Sequence, residues 1–302
     1  MSTATGDRRP ASLSRPGRLA ARRPVAAFLV MVYVIVWSVF LPATLQDRGL
    51  LALPVDLSEG LAFDAVVAVA TILGVALPAF LVTAATGGEA GVRDLLDRCL
   101  RWRVGVGWYL VALMGLLAAT VLVGSVFLGL APLQALVREW PLLFTMFLPE
   151  VLLPFVFIQV FEEAGWAGFM QDTLQERRGP LLSAVLVAPA FALMHLPVLL
   201  IGSGVGLGLL VVLGALVVLM AFFRVVVAWL YNGSGRSVLV AALFLAALFH
   251  SAFNSATSLG EQRFTAELIP GPAQLVIAFG VLVVVAVGVA ALTRGHLAHA
   301  SS

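Results

Sequence analysis

The sequence has no lysine, one cysteine and few charges of either sign: 18 arginines and 16 acidic residues among 302, or 11% charged. An ordinary soluble domain carries roughly 25% charged residues. That shortfall excludes a soluble enzyme. The single Cys99 excludes an internal disulfide; its place beside a membrane segment would permit acylation, and an unmodified thiol is the expectation. With no aqueous domain to carry a basic surface, nucleic-acid binding is excluded too. No period of two runs through the apolar stretches, so a transmembrane β-barrel is set aside.

What fills the chain instead is 61% hydrophobic residues at a mean hydropathy of +1.06. A charge-free stretch of about 20 residues spans a bilayer as a helix. Cutting at charged residues leaves windows 24–46, 65–88, 104–137, 179–223, 237–260 and 268–293. The 179–223 window is too long for one crossing and contains the turn signal Gly202, Ser203, Gly204, so it divides into two helices. One more apolar stretch, 151–171, is interrupted only by Glu162 and Glu163. The fold class is therefore all-α, a polytopic transmembrane helical bundle with eight predicted spans.

The arginines set the expected orientation, because basic residues stay on the cytoplasmic side. The first, third, fifth, seventh and ninth aqueous segments hold six, four, two, one and one arginines; the intervening segments hold only Arg48, Arg138 and Arg263. Both termini are expected in the cytoplasm, with localisation at the plasma membrane. Residues 1–23 read as a disordered Arg-rich tail held to anionic lipid headgroups, 24–293 as the membrane domain, and 294–302 as a C-terminal tail. The first span, longer than a signal-peptide core, reads as a retained anchor. Segment 91–103 places charges at helical spacing and reads as an interfacial amphipathic helix. Arg224, near the inner end of its span, is expected to snorkel in a structural role.

Glu162 and Glu163 fall mid-span, where each acidic side chain costs about 2.5–3.5 kcal/mol to insert. Adjacent carboxylates also repel in low dielectric, so the pair must share a proton or find a cation. Partners follow from counting along the chain. Glu163 lies 16 residues before Gly179 and His195 lies 16 after it, which brings the two groups to similar depth, about 24 Å from the turn, on antiparallel helices. His250 lies 14 residues beyond Arg236, and Asn254 follows at i+4 on the same helix face. Glu162, Glu163, His195, His250 and Asn254 thus form the candidate site. A hydrogen-bonded cluster that only fixes helix packing is the bland alternative; two Glu and two His at matched depth favour catalysis or transport. Phe191 and Trp166 read as packing residues, and His296 and His299 as solvated.

At these positions the sequence resembles the CPBP family of intramembrane proteases, which includes the CAAX prenyl endopeptidases. The family pattern is EExxxR, FxxxH and HxxxN. Its matches here are Glu162 with Glu163, Phe191 with His195, and His250 with Asn254, and the stretch WLYNGSGRS from Trp229 to Ser237 resembles the family's entry into the last motif helix. The resemblance covers about residues 150–258. One position departs: where the family has Arg, this chain has Ala167. Without that cation Glu163 must be protonated or find another partner, Arg224 being the candidate.

The resemblance implies hydrolysis of peptide bonds in membrane-associated substrates, with lipids and a membrane-associated peptide or protein as partners. Glu162 and His195 would activate water, Glu163 would support them electrostatically, and His250 with Asn254 would hold the oxyanion. No cofactor is favoured. Zinc, held by Glu162, His195 and His250, is the alternative, against which stands the lack of an HExxH pattern. The all-Arg, Ala-rich composition points to a GC-rich bacterial genome and away from a prenylated substrate. Two competing functions are a proton-coupled transporter, in which Glu and His relay protons, and a non-catalytic membrane partner or immunity protein that binds a peptide.

Overall fold

The structure, a computed structural model, describes residues 22–202, 205–248, 268–269 and 273–299. Every regular element among these residues is helical. They are α1 (Pro24–Asp47), α2 (Gly60–Cys99), α3 (Val106–Leu128), α4 (Ala131–Arg138), α5 (Leu143–Arg178), α6 (Pro180–Met194), α7 (Leu196–Leu200), α8 (Leu207–Gly233), α9 (Val238–Leu248) and α10 (Ala273–Leu292). Six of them, α1, α2, α3, α5, α8 and α10, are long and apolar enough to cross a membrane. Of the eight expected crossings, six are matched by such helices among the described residues; α6, with 15 residues, and α9, with 11, are shorter.

Charge-free windows marked the spans but misplaced their ends. Helix α5 runs 36 residues, well beyond 151–171 on both sides, because Asp172 is neutralised by ion pairs inside the bundle instead of ending the helix. The 65–88 window stops where Gly88 adopts φ 60°, a left-handed conformation open to glycine, but the helix resumes and continues to Cys99. Residues 91–99 are thus the tail of α2. It is amphipathic as expected, with Leu95 and Cys99 buried and the Arg93–Glu89 pair exposed, but Arg98 is turned inward. The 104–137 window breaks at Gly129 (φ 71°) into α3 and α4. Helix α8 passes straight through Arg224 and ends at Gly233.

Helix α5 lies at the centre, with α2, α6, α8 and α9 packed around it. From Glu162 through Asp172 every residue is buried. That burial requires close approach, and the small residues supply it. A Cβ on Gly165 would sit 2.5 Å from Val75 Cγ1 and 3.2 Å from the Val75 carbonyl oxygen of α2, and one on Gly168 would sit 3.0 Å from Leu95 Cδ1. Two π-helical turns, Phe155–Gln159 and Trp166–Gln171, bracket the short α-helical piece Val160–Gly165 that carries both glutamates. Such irregular turns are rare and concentrate at functional sites.

Candidate active site

Glu162 is 5% exposed and Glu163 0%. The cost of burying a carboxylate is met at Glu163 by Arg224 of α8, whose Nη1 donates to Oε1 at 2.6 Å. Arg224 is itself fully buried. It does not snorkel: the sequence put it near an aqueous boundary, but α8 continues nine residues past it and turns the guanidinium into the bundle. The guanidinium carbon lies 5.7 Å from the Phe191 ring centroid and 5.8 Å from that of Phe223, within cation–π range. Arg224 Nε and Nη2 and Glu163 Oε2 have no hydrogen-bond partner among the described residues, so the pair keeps polar capacity beyond its one bond.

Phe191 connects this ion pair to His195. Its ring centroid is 4.9 Å from that of His195 and 5.4 Å from that of Trp166, and Trp166 in turn packs edge-on against Phe28 of α1. The side chains read from sequence as packing residues thus form an aromatic row that reaches both Arg224 and His195. His195 stands at the break between α6 and α7, half-buried; Pro197, at the start of α7, has no N–H for α6 to continue through. Its Nδ1 is 2.9 Å from the Phe191 carbonyl oxygen. A carbonyl only accepts, so Nδ1 carries the proton, and in the neutral ring Nε2 is left with a lone pair. Glu163, Arg224, Phe191 and His195 are therefore consecutive neighbours drawn from α5, α8 and α6. His250 and Asn254 lie outside the described residues.

Residues 144–256 match the family model described as type II CAAX prenyl endopeptidase Rce1-like. The chain carries an Rce1-like domain. No curated protein matches the chain. The Rce1-like segment begins within α5, runs through α6, α7, α8 and α9, and includes both glutamates, Phe191, His195 and Arg224. It is similar to a protease family and lies in a chain with six helices long and apolar enough to cross a membrane among the described residues. Ala167, the departure from the motif, is fully buried on α5 between Gly165 and Gly168, and the cation that meets Glu163 comes from the neighbouring helix.

The Rce1-like segment also contributes to a second polar cluster, which the sequence reading missed. Asp172 Oδ2 lies 3.0 Å from Arg98 Nη1 of α2, and both Asp172 oxygens are gripped by Arg236, whose Nε donates to Oδ1 at 2.9 Å. Arg98 Nη1 also donates to the Tyr231 hydroxyl at 2.9 Å and to the Gly168 carbonyl at 2.6 Å. One turn on, Gln175 and Asn232 exchange amide hydrogen bonds of 3.1 and 3.2 Å. Tyr231, Asn232 and Arg236 belong to the WLYNGSGRS stretch, so that stretch locks α8 to α5 and α2. Its signal was available: three hydrogen-bonding side chains in a motif already singled out, with Asp172 ending the charge-free run next to them. Among the described residues no group of three or more His, Cys, Asp or Glu is gathered closely enough to hold a metal ion, and the zinc set would need His250, outside those residues.

Proposed function

We propose that this protein is an intramembrane endopeptidase that hydrolyses peptide bonds of membrane-associated substrates, with Glu162 and His195 activating a water molecule. The observation that carries the reading is a buried glutamate pair, one member neutralised by a buried arginine, joined through one aromatic ring to a half-buried histidine inside an Rce1-like segment. An apolar protein has no packing reason to bury two adjacent carboxylates, and intramembrane ionisable groups that persist default to chemistry or transport.

In this mechanism Glu162, aided by His195 Nε2, takes a proton from water as the oxygen attacks the scissile carbonyl carbon. Glu163, fixed by its ion pair, sets the field beside Glu162. His250 and Asn254 donate hydrogen bonds to the oxyanion of the tetrahedral intermediate. The proton then passes to the departing nitrogen as the C–N bond breaks, releasing a carboxylic acid and an amine, between which the second water proton then passes to give carboxylate and ammonium. No step requires a metal. The eight-span arrangement with both termini and an open cavity on the cytoplasmic side belongs to the same proposal, as does the plasma membrane. The transporter reading, in which Glu and His relay protons, would gain from a glutamate pair without a cation, and Arg224 beside Glu163 offsets that gain.

The test is cleavage by protein reconstituted in nanodiscs, using two internally quenched peptides of one sequence ending in Cys-aliphatic-aliphatic-X, one farnesylated and one unmodified. Wild type is expected to cleave at least one, and Glu162→Gln and His195→Ala to abolish that cleavage. Folded variants that cleave at the wild-type rate would refute the assignment.

A further inference from the structure

We propose that Arg224 is a positioning residue of the hydrolytic reaction, a cation supplied to Glu163 from helix α8 in place of one carried by the glutamate helix itself. The inference rests on the proteolytic reading and assigns that site one more working part.

Three observations support it. First, the contact is specific. Arg224 Nη1 meets Glu163 Oε1 at 2.6 Å with both side chains fully buried, so the attraction acts with little screening by water. Second, the guanidinium is held from its other sides. It lies against the Phe191 and Phe223 rings, and Phe223 stacks on Phe244 of α9 at 5.9 Å with an interplanar angle of 10°. A cation resting against two adjoining rings, whose centroids are 6.1 Å apart, has less rotamer freedom, and that helps fix the carboxylate it binds. Third, the face of α5 that would carry its own arginine is closed. Ala167 has no exposed surface. Close packing on this face and a cation from α8 are two parts of one arrangement.

The same residues explain why a purely structural account is insufficient. If burial economy alone were at stake, an apolar pair would fill the space at no cost, since replacing a buried ion pair by hydrophobic residues is often neutral or stabilising. Retaining a charged Glu163 beside Glu162 makes sense where that charge acts on the neighbouring carboxylate, and Arg224 decides where it sits. Phe191 links this arrangement to the imidazole: the ring against the guanidinium lies 4.9 Å from that of His195.

The experiment measures kcat and KM in nanodiscs, with whichever quenched peptide the wild type cleaves, for Arg224→Lys, Arg224→Gln, Arg224→Met and the double variant Arg224→Met with Ala167→Arg. Folding is checked by gel filtration and circular dichroism. Loss of the cation is expected to lower kcat about 100-fold with KM nearly unchanged, the scale of a misplaced reacting group. Lysine, which keeps a point charge, should stay within about tenfold of wild type. Ala167→Arg introduces its side chain at a closed position and should leave the double variant as slow as Arg224→Met; a folded double variant with wild-type kcat would show that the cation need not come from α8. A folded Arg224→Gln or Arg224→Met protein with wild-type kcat overturns the inference while leaving the proteolytic reading intact, as does a folded lysine variant no more active than methionine. If the Gln and Met proteins fail to fold, the lysine and double variants decide by the same criteria. Cleavage of neither peptide by wild type sinks the proteolytic reading, and the role of Arg224 falls with it.

Discussion

The Glu163–Arg224 pair gives a quantitative expectation for stability that does not depend on any activity. Both side chains are fully buried and 2.6 Å apart. Unit charges about 4 Å apart attract by roughly 4 kcal/mol at an effective dielectric of about 20. Removing one partner leaves the other charge buried without compensation, and such changes cost about 3–5 kcal/mol. Glu163→Gln and Arg224→Met are each expected to lose this much. The double variant should lie within about 1 kcal/mol of wild type, because it removes both burial penalties along with the attraction. The coupling energy is therefore expected at roughly 5 kcal/mol or more, far above the 0.5 kcal/mol or so at which distant sites simply add. Unfolding of detergent-solubilised protein by sodium dodecyl sulfate at pH 7, followed by circular dichroism, measures all four proteins. Losses that add, with coupling below about 0.5 kcal/mol, would show that the two groups do not hold each other.

Three further outcomes are expected. Gly165→Val places side-chain carbons against Val75 and Phe28, including a backbone carbonyl that cannot yield, so a loss of 1–3 kcal/mol or more is expected in the same unfolding assay; Val75→Ala should recover part of it. Asp172→Asn removes the buried anion shared by Arg98 and Arg236 and leaves them only the exposed Asp94, so it should cost about 1–3 kcal/mol; wild-type stability in that variant would show that the second cluster is a surface network of little weight. The arginine distribution predicts that single cysteines at Arg8 and His296, introduced after Cys99→Ala, react with a membrane-impermeant maleimide only from the cytoplasmic face; labelling either from outside would refute the orientation.

The apolar runs made the helical membrane class legible, because a charge deficit of this size has one physical explanation. Helix ends were less legible. A cut at every charge assumes that charges face water, and Asp172 and Arg224 do not: each is neutralised by a side chain distant in sequence, which no local window can see. Arg98 misled for the same reason, since a charged position on an amphipathic helix reads as solvated until Asp172 and Tyr231 appear opposite it. Gly88 and Gly129 show the reverse, where a residue that adopts positive φ was a visible breakpoint inside a long window. At the site, Glu162, Glu163 and His195 could be picked out by their chemistry alone, and Arg224 was reached as the partner for Glu163 only because Ala167 left that carboxylate without a local cation. Phe191 was legible as a motif residue but not as the ring linking the guanidinium to the imidazole, because that contact depends on how α6 meets α8.

The central claim, that buried carboxylate chemistry cuts peptide bonds within the membrane, is tested most directly without assuming a substrate. Cells expressing wild type or Glu162→Gln at equal levels are compared by mass spectrometry of peptide termini in isolated membranes. A set of termini present with wild type and absent with the variant is the predicted result. Identical termini in the two membranes, with both proteins folded and present, would contradict it.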